Sequence, residues 1–294
     1  MPLLLGFPEY REPGERLAEA AGLDFAVVDI HRFPDGESKL TLPPRLPRQV
    51  VLCRSLDHPN DKLVELILAA GGAREQGVES LSLVAPYLCY MRQDTAFHPG
   101  EAVSQRIVGR CLAGYFDGLL TVDSHLHRVR HLSDAVPVAR AIDLHATGPM
   151  AHFLSERIER PFLLGPDAES AQWVADIAAR YGMDHAVCAK QRLGDREVRV
   201  QLPRGDYRGR HVVLVDDVAS TGRTLYEAAR AVLAEAPASV SVLVTHALFV
   251  GDAIPRLREL GVRDIWSCDS IPHPTNAVRL AGLLAARLPD LLSQ

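Results

Sequence analysis

Leu214-Val215-Asp216-Asp217-Val218-Ala219-Ser220-Thr221-Gly222-Arg223-Thr224-Leu225 reads as an apolar strand that runs into two adjacent carboxylates, then into a Ser/Thr/Gly turn that opens a helix. Strand, turn and helix in that order are the repeating unit of a parallel α/β sheet. Carboxylates at a strand's end can hold ribose hydroxyls or a hydrated metal ion. The N–H groups and hydroxyls at a helix N-terminus can take a phosphate. One loop therefore offers partners to both ends of a ribose 5-phosphate. A solvated acidic turn, the plain alternative for Asp216 and Asp217, leaves the phosphate-type turn behind them unexplained. Ser220 or Thr221 can cap the helix and bind phosphate at once.

The same rhythm extends outward. Val50–Leu52, Leu81–Val84 and Leu119–Val122 read as buried strands, and helical spacing joins Leu63, Leu66, Ile67 and Ala70, then Ile107, Val108, Cys111 and Leu112. In the second half strands are expected at Phe162–Leu164, Ala186–Cys188, Val212–Val215 and Val240–Val244, with helices over Ser170–Tyr181 and Thr224–Glu235. Such alternation predicts parallel sheets covered by helices on both faces. The alternating run Glu197–Leu202 reads instead as a half-exposed antiparallel flap. A division near Thr147-Gly148-Pro149 gives two domains, 1–147 and 148–294. A strand ending in aspartate occurs in both, at Val122-Asp123 and Val215-Asp216, but too little identity joins the halves to establish an internal repeat.

With 294 residues the chain is long enough for two cores. A formal charge of -5 argues against a general nucleic-acid binder, which needs a basic face, but not against a phosphate substrate held by a local cation cluster. The five cysteines are scattered, with no C-x-x-C pair, and read as reduced, buried thiols. Met1–Gly6 is apolar but too short for a signal segment, and nothing approaches the length of a membrane span, so a cytoplasmic enzyme is expected.

The Asp216–Thr224 loop resembles the phosphoribosyl pyrophosphate loop of type I phosphoribosyltransferases. Five further segments shift the resemblance to a sister family, the ribose-phosphate pyrophosphokinases: Arg32–Glu37, Pro86–Asp94, Thr121–His125, Gly165–Asp167 and Lys190–Arg192. Their order and approximate spacing match that family over nearly the whole chain. The resemblance implies an α/β fold of two Rossmann-like phosphoribosyltransferase-type domains, each a mostly parallel sheet flanked by helices. It implies that ATP donates its β,γ-diphosphoryl group to the 1-hydroxyl of ribose 5-phosphate, giving phosphoribosyl pyrophosphate and AMP.

Each site residue follows from the same resemblance. Asp216 and Asp217 would hold the ribose hydroxyls, while Ser220, Thr221, Gly222 and Thr224 would cradle the 5-phosphate. Arg223 stands where relatives have a small residue, and its guanidinium either touches the phosphate or points to solvent. Lys190 and Arg192, two apart on an extended segment, match the catalytic pair that clamps the moving diphosphoryl group. Phe33, Asp35 and Glu37 match an adenine loop lent by a neighbouring subunit, so a homodimer or higher homo-oligomer is implied. Arg92, Gln93 and Asp94 would contact ATP, with Arg92 on its phosphates. His125 and Asp167 match the partners of Mg2+, with Mn2+ also suited to such a site. His127 and His131 leave a zinc reading open, without the cysteine partner or H-E-x-x-H helix that would support it.

One departure stands out. Thr95-Ala96-Phe97-His98-Pro99-Gly100-Glu101 carries no Lys or Arg where many relatives have a basic loop over ATP. The short form with Phe97 and Pro99-Gly100-Glu101 looks more like archaeal-type members, which puts control by ADP and phosphate in doubt. Two alternatives follow: a non-catalytic regulatory homologue, which the missing cations favour, and a phosphoribosyltransferase, which would have no use for the ATP segments.

Overall fold

The computed structural model describes residues 1–126, 128–192 and 198–293, with backbone alone at 190–192, 198 and 199. The chain divides into two compact units. One comprises Met1–His145, Ser270–Pro272 and the C-terminal segment from Leu280; the other comprises Ala146–Asp269 and His273–Arg279. A single cut between residues 147 and 148 thus misassigns the last helix. Apolar packing rather than chain order decides its membership: Leu284, Leu288 and Leu291 on that helix are buried.

The first unit contains, in chain order, β1 (Leu3–Gly6), α1 (Arg11–Ala21), β2 (Asp24–Val27), β3 (Asp29–Arg32), β4 (Ser38–Thr41), β5 (Gln49–Cys53), α2 (Pro59–Glu75), β6 (Ser80–Ala85), α3 (Ser104–Ala113), β7 (Gly118–Val122), α4 (Leu132–Ala135) and β8 (Arg140–Leu144). The second contains α5 (Thr147–Ser155), β9 (Phe162–Gly165), α6 (Ala171–Tyr181), β10 (Asp184–Val187), β11 (Ala189–Arg192), β12 (Val198–Gln201), β13 (His211–Ala219), α7 (Arg223–Leu233), β14 (Ser239–Ala247), α8 (Ala253–Leu260), β15 (Ile265–Cys268) and β16 (Asn276–Val278). Helix α9 (Ala281–Leu292) returns to the first.

Each unit is built on a six-stranded sheet, in the orders β2-β1-β5-β6-β7-β8 and β10-β9-β13-β14-β15-β16. All the pairings within them are parallel. The two orders are the same, and each unit inserts an antiparallel hairpin after its second strand: β3–β4 in one, β11–β12 in the other. The apolar strands β5, β6 and β7, and β9, β13 and β14, are buried nearly end to end, as strands covered on both faces must be. Leu3–Gly6, read from the sequence only as too short for a leader, is an inner strand of the first sheet.

One helix face differs from the spacing argument, and a second buries charged residues beside its predicted apolar ones. On α3 the buried residues are Gln105, Gly109 and Leu112, while Ile107 and Cys111 are exposed. Glycine sets that face, because a Cβ at Gly109 would stand 1.8 Å from the Ala135 carbonyl oxygen of α4. On α2 the charged Lys62 and Glu65 are buried with Leu66, Ala69, Ala70 and Ala73, whereas Val64 and Leu68 face solvent. The four cysteines other than Cys111 are buried, and all five are free thiols. Burial pushes Cys89 and Cys188 up to about 12. Among the described residues no helix is long and apolar enough to cross a membrane.

Gly109→Ala is expected to destabilise the protein by about 3 kcal/mol, the upper end of the overpacking range, because the obstacle is backbone rather than a movable side chain. Urea titration should report a lower midpoint at unchanged slope; an unaltered midpoint would mean that α3 and α4 separate freely.

Candidate functional site

Parallel pairing delivers the carboxyl ends of neighbouring strands to one edge of a sheet, and the candidate residues lie at those ends or in the connections that leave them. In the second unit β13 continues through its acids: Asp216 pairs with Val244, Val218 with His246 and Ala219 with Ala247. Asp216 and Asp217 therefore sit within the last turns of a strand rather than beyond it. Their carboxylates fold back on the chain, with Asp217 N–H donating to Asp216 Oδ1 (3.1 Å) and Val218 N–H to Asp217 Oδ1 (2.7 Å).

Strand β9 runs beside β13 and ends at Gly165, so the Pro166–Asp167 turn emerges next to these acids. Asp167 is buried and caps its own short turn, accepting from Glu169 N–H at 3.0 Å, while its carbonyl accepts from Ser170 Oγ at 2.6 Å. Burial, then the charges of Asp217 and Asp167, raises the Asp216 carboxyl well above the ordinary carboxylate value. Carboxylates arranged this way favour a cation or a proton among them.

The turn after β13 ends in Gly222, which stands at the helix N-cap of α7 with φ 66°. Only glycine adopts that conformation cheaply, and a Cβ there would press on Ala253 at 3.2 Å. The capping role proposed for Ser220 or Thr221 is not what is found. Gly222 at the N-cap makes no side-chain cap among the described residues, an arrangement in which the first N–H groups of α7 can take an incoming anion. The turn is braced by Phe249 N–H to Ala219 O (2.9 Å) and Val250 N–H to Ser220 O (3.0 Å). Thr221 and Arg223 are exposed; Ser220 and Thr224 are half-buried.

Lys190 and Arg192 lie on β11, opposite Val200 and Val198 of β12. The expected flap is thus an antiparallel hairpin, and Glu197 of the predicted run lies outside the described residues, as does His127.

In the first unit Phe33–Glu37 forms the tip of the β3–β4 hairpin, closed by Phe33 N–H to Glu37 O at 2.8 Å, with Phe33 41% exposed. Arg92 is exposed and Gln93 half-buried. Asp94 is buried and accepts from the Arg128 guanidinium at 2.7 Å and from its N–H at 3.3 Å. That guanidinium also lies over the Phe97 ring. Asp94 therefore ties two loops together, a part that the sequence did not signal.

His125 follows β7 in a left-handed conformation (φ 55°), as does Asp123 (φ 42°). Two non-glycine residues in that region form a strained turn that neighbouring groups must hold. Asp143 on β8 holds it, accepting from the Ser124 hydroxyl and N–H, while His145 Nδ1 stands 2.9 Å from Asp123 Oδ1. Burial, opposed by the Ser124 hydrogen bond and reinforced by the charge of Asp123, pushes Asp143 up to about 6. The signal available in the sequence was an acid inside the apolar run Ala141-Ile142-Asp143-Leu144.

Two family models divide the chain between them. Residues 4–114 match the N-terminal domain of ribose phosphate pyrophosphokinase, and residues 144–284 match the phosphoribosyl transferase domain. A ribose-phosphate pyrophosphokinase of Methanopyrus kandleri is 36% identical over 98% of this chain and 99% of its own. The chain belongs to the ribose-phosphate pyrophosphokinase family. A family member from Methanosarcina acetivorans is 32% identical over the same shares. The fold matches the crystal structure of phosphoribosylpyrophosphate synthetase from Mycobacterium smegmatis with a TM-score of 0.85, at 20% identity and over 99% of this chain and 98% of that one. The protein is accordingly an enzyme of the ribose-phosphate pyrophosphokinase class, and a divalent metal requirement goes with that family.

Asp143 gives a pH test. Its folded value lies above the ordinary 3.8, so the folded state holds a proton that the unfolded chain releases. That contribution to stability is present below about pH 4 and lost as pH rises through about 6. Relative to Asp143→Asn, the wild type should lose about 2 kcal/mol between those limits, discounted for residual solvent contact. Parallel thermal-stability profiles for the two proteins across that window would refute the assignment.

Proposed function

We propose that this enzyme transfers the β,γ-diphosphoryl group of ATP to the 1-hydroxyl of ribose 5-phosphate, releasing AMP and phosphoribosyl pyrophosphate. The observation that carries the reading is the uncapped N-terminus of α7 directly after the Asp216–Asp217 pair. Phosphate at the helix start and ribose hydroxyls at the acids account for both features of that loop. The loop orients the pentose through Asp216, Asp217, Ser220, Thr221, Gly222 and Thr224, with Arg223 exposed at its rim.

The remaining roles follow. Phe33, Asp35 and Glu37 receive the adenine, with Arg92 and Gln93 on the phosphates. Asp94 acts differently from the simplest expectation: buried against Arg128, it shapes the segment that presents Arg92 and Gln93. Lys190 and Arg192 clamp the diphosphoryl group as it moves, spreading positive charge where the transition state is most negative. No covalent intermediate is needed; the bond from β-phosphorus to the 1-hydroxyl oxygen forms as the bond to the AMP oxygen breaks.

The residues suit a hard divalent cation. The carboxylates of Asp167 and Asp217, buried, and of Asp216, half-buried, are oxygen donors of the kind such an ion takes, although among the described residues they do not converge as a group of three ligands. Asp167 and His125 are the proposed protein partners, and Mg2+, or Mn2+ in its place, would offset triphosphate charge when bound. A homo-oligomer is proposed as well. Helix α2 is apolar on its solvent side at Val64 and Leu68, 58% and 47% exposed, as a helix that meets a second copy would be.

Incubation with ATP, ribose 5-phosphate and Mg2+ should yield AMP in equal amount to phosphoribosyl pyrophosphate; AMP no higher than background from folded protein overturns the reading. Lys190→Ala should lower kcat by roughly a hundredfold or more with little change in the KM for ATP. Asp217→Asn should act on the other substrate, raising the KM for ribose 5-phosphate roughly tenfold.

A further inference from the structure

The loop Phe33–Glu37 sits on a hairpin that belongs to neither six-stranded sheet. A two-stranded hairpin alone is marginal in water, so something outside it must fix its tip. Ile30 and Leu40 pack its body against the core of the first unit. Its neck is fixed differently. Arg32 and Ser38 are the last cross-strand pair before the loop, and both reach the same carboxylate oxygen. Arg32 Nη2 donates to Glu65 Oε1 at 3.2 Å, and Ser38 Oγ donates to it at 2.9 Å.

Glu65 is itself immobile. It projects from α2, its side chain only 1% exposed, and its second oxygen accepts from the equally buried Arg54. Arg54 is held in turn by Glu9 Oε1 (2.6 Å), by the Lys62 carbonyl (3.1 Å) and by the face of Phe7, 4.1 Å below its guanidinium. Lys62 completes the set with Asp57 at 2.7 Å. Burial acts to raise the Glu65 carboxyl, but hydrogen bonds from Arg54 and Ser38 and the charges of Arg54 and Arg32 outweigh it and hold the group below its ordinary value.

We propose that Glu65 is a positioning residue for the nucleotide: by gripping both strands of the hairpin neck it presets the Phe33–Glu37 loop in its binding conformation. The proposal rests on the reading of that loop as the adenine loop. With the neck released, ATP must order the loop as it binds, and apparent affinity falls by the fraction of loops already in place.

Ser38→Ala removes one of the two grips and leaves the buried ion pair intact. It should raise the KM for ATP roughly three- to tenfold, the worth of one hydrogen bond to a charged acceptor at such a part-buried position. The KM for ribose 5-phosphate should not move, the thermal midpoint should fall by no more than about 4 °C, and Ser38→Thr, which keeps the hydroxyl, should restore the ATP value. Glu65→Gln should raise the KM for ATP at least as far; should that variant not fold, the Ser38 pair decides. Phe33→Ala separates the two levels. If Phe33→Ala raises the KM for ATP while Ser38→Ala leaves it unchanged, the loop binds nucleotide but Glu65 does not position it. If Phe33→Ala has no effect either, the adenine-loop reading fails and the proposal falls with it.

Discussion

The pairing of β9 with β13 dictates much of the chemistry of the second unit. Leu164 lies beside Leu214, so both strands bring acids to the same edge within two or three residues of that pair: Asp167 on one, Asp216 and Asp217 on the other. Hydrophobic burial of the strands enforces that register, because a slip of one residue would turn every apolar side chain the wrong way. Core packing thus holds together charges that repel each other, and the raised Asp216 carboxyl is the consequence. The site keeps its electrostatic demand because the core beneath it does not yield.

The first unit repeats the architecture and answers the same problem with internal charge. Gly6 ends β1 as Gly165 ends β9, and the strand beside β1 carries Arg54 one residue beyond Cys53, the partner of Gly6. Counting from Leu214 in the same way puts Asp216 at the corresponding place. Where one unit has an acid whose carboxyl is raised by burial and by neighbouring acids, the other has a buried cation paired with Glu9 and Glu65. One topology therefore carries the loop proposed for ribose 5-phosphate in one copy and a closed ion-pair core in the other. The inserted hairpins diverge in parallel, with Phe33–Glu37 at the tip of one and Lys190 and Arg192 on the other.

Strand-rich stretches were legible in the sequence because buried parallel strands are continuous apolar runs, and β5, β6, β7, β9, β13 and β14 all are. The strand, turn and helix around Asp216–Thr224 were legible because their signals are local: an apolar run, then Ser-Thr-Gly. Features that depend on distant partners were not. Gly109 sets the buried face of α3 through a contact with Ala135, and Cys111 is exposed as a result. Glu65 and Lys62 interrupt the apolar face of α2, and only the folded chain brings Arg54, Glu9 and Asp57 to them. The shared strand order was hidden as well, since burial constrains hydrophobicity and not identity. Residue similarity can disappear while the sheet persists.

The segment without cations illustrates how charge is managed locally. Phe97 N–H donates to Glu101 Oε2 at 2.8 Å, and His98 Nδ1 stands 2.7 Å from Glu101 Oε1. These contacts, that of His98 first, lower the Glu101 carboxyl, so the segment closes on its own acid instead of presenting it. Asp94 is matched by Arg128 in the same way. Both acids are thus engaged by partners of the first unit, and Arg92 beside them stays exposed. On the proposed function this loop borders a triphosphate with its acids held by partners of their own, Glu101 by His98 and the Phe97 N–H, and Asp94 by Arg128. On that proposal the cations offered to the triphosphate are those named at Arg92, Lys190 and Arg192, since Thr95–Glu101 supplies none.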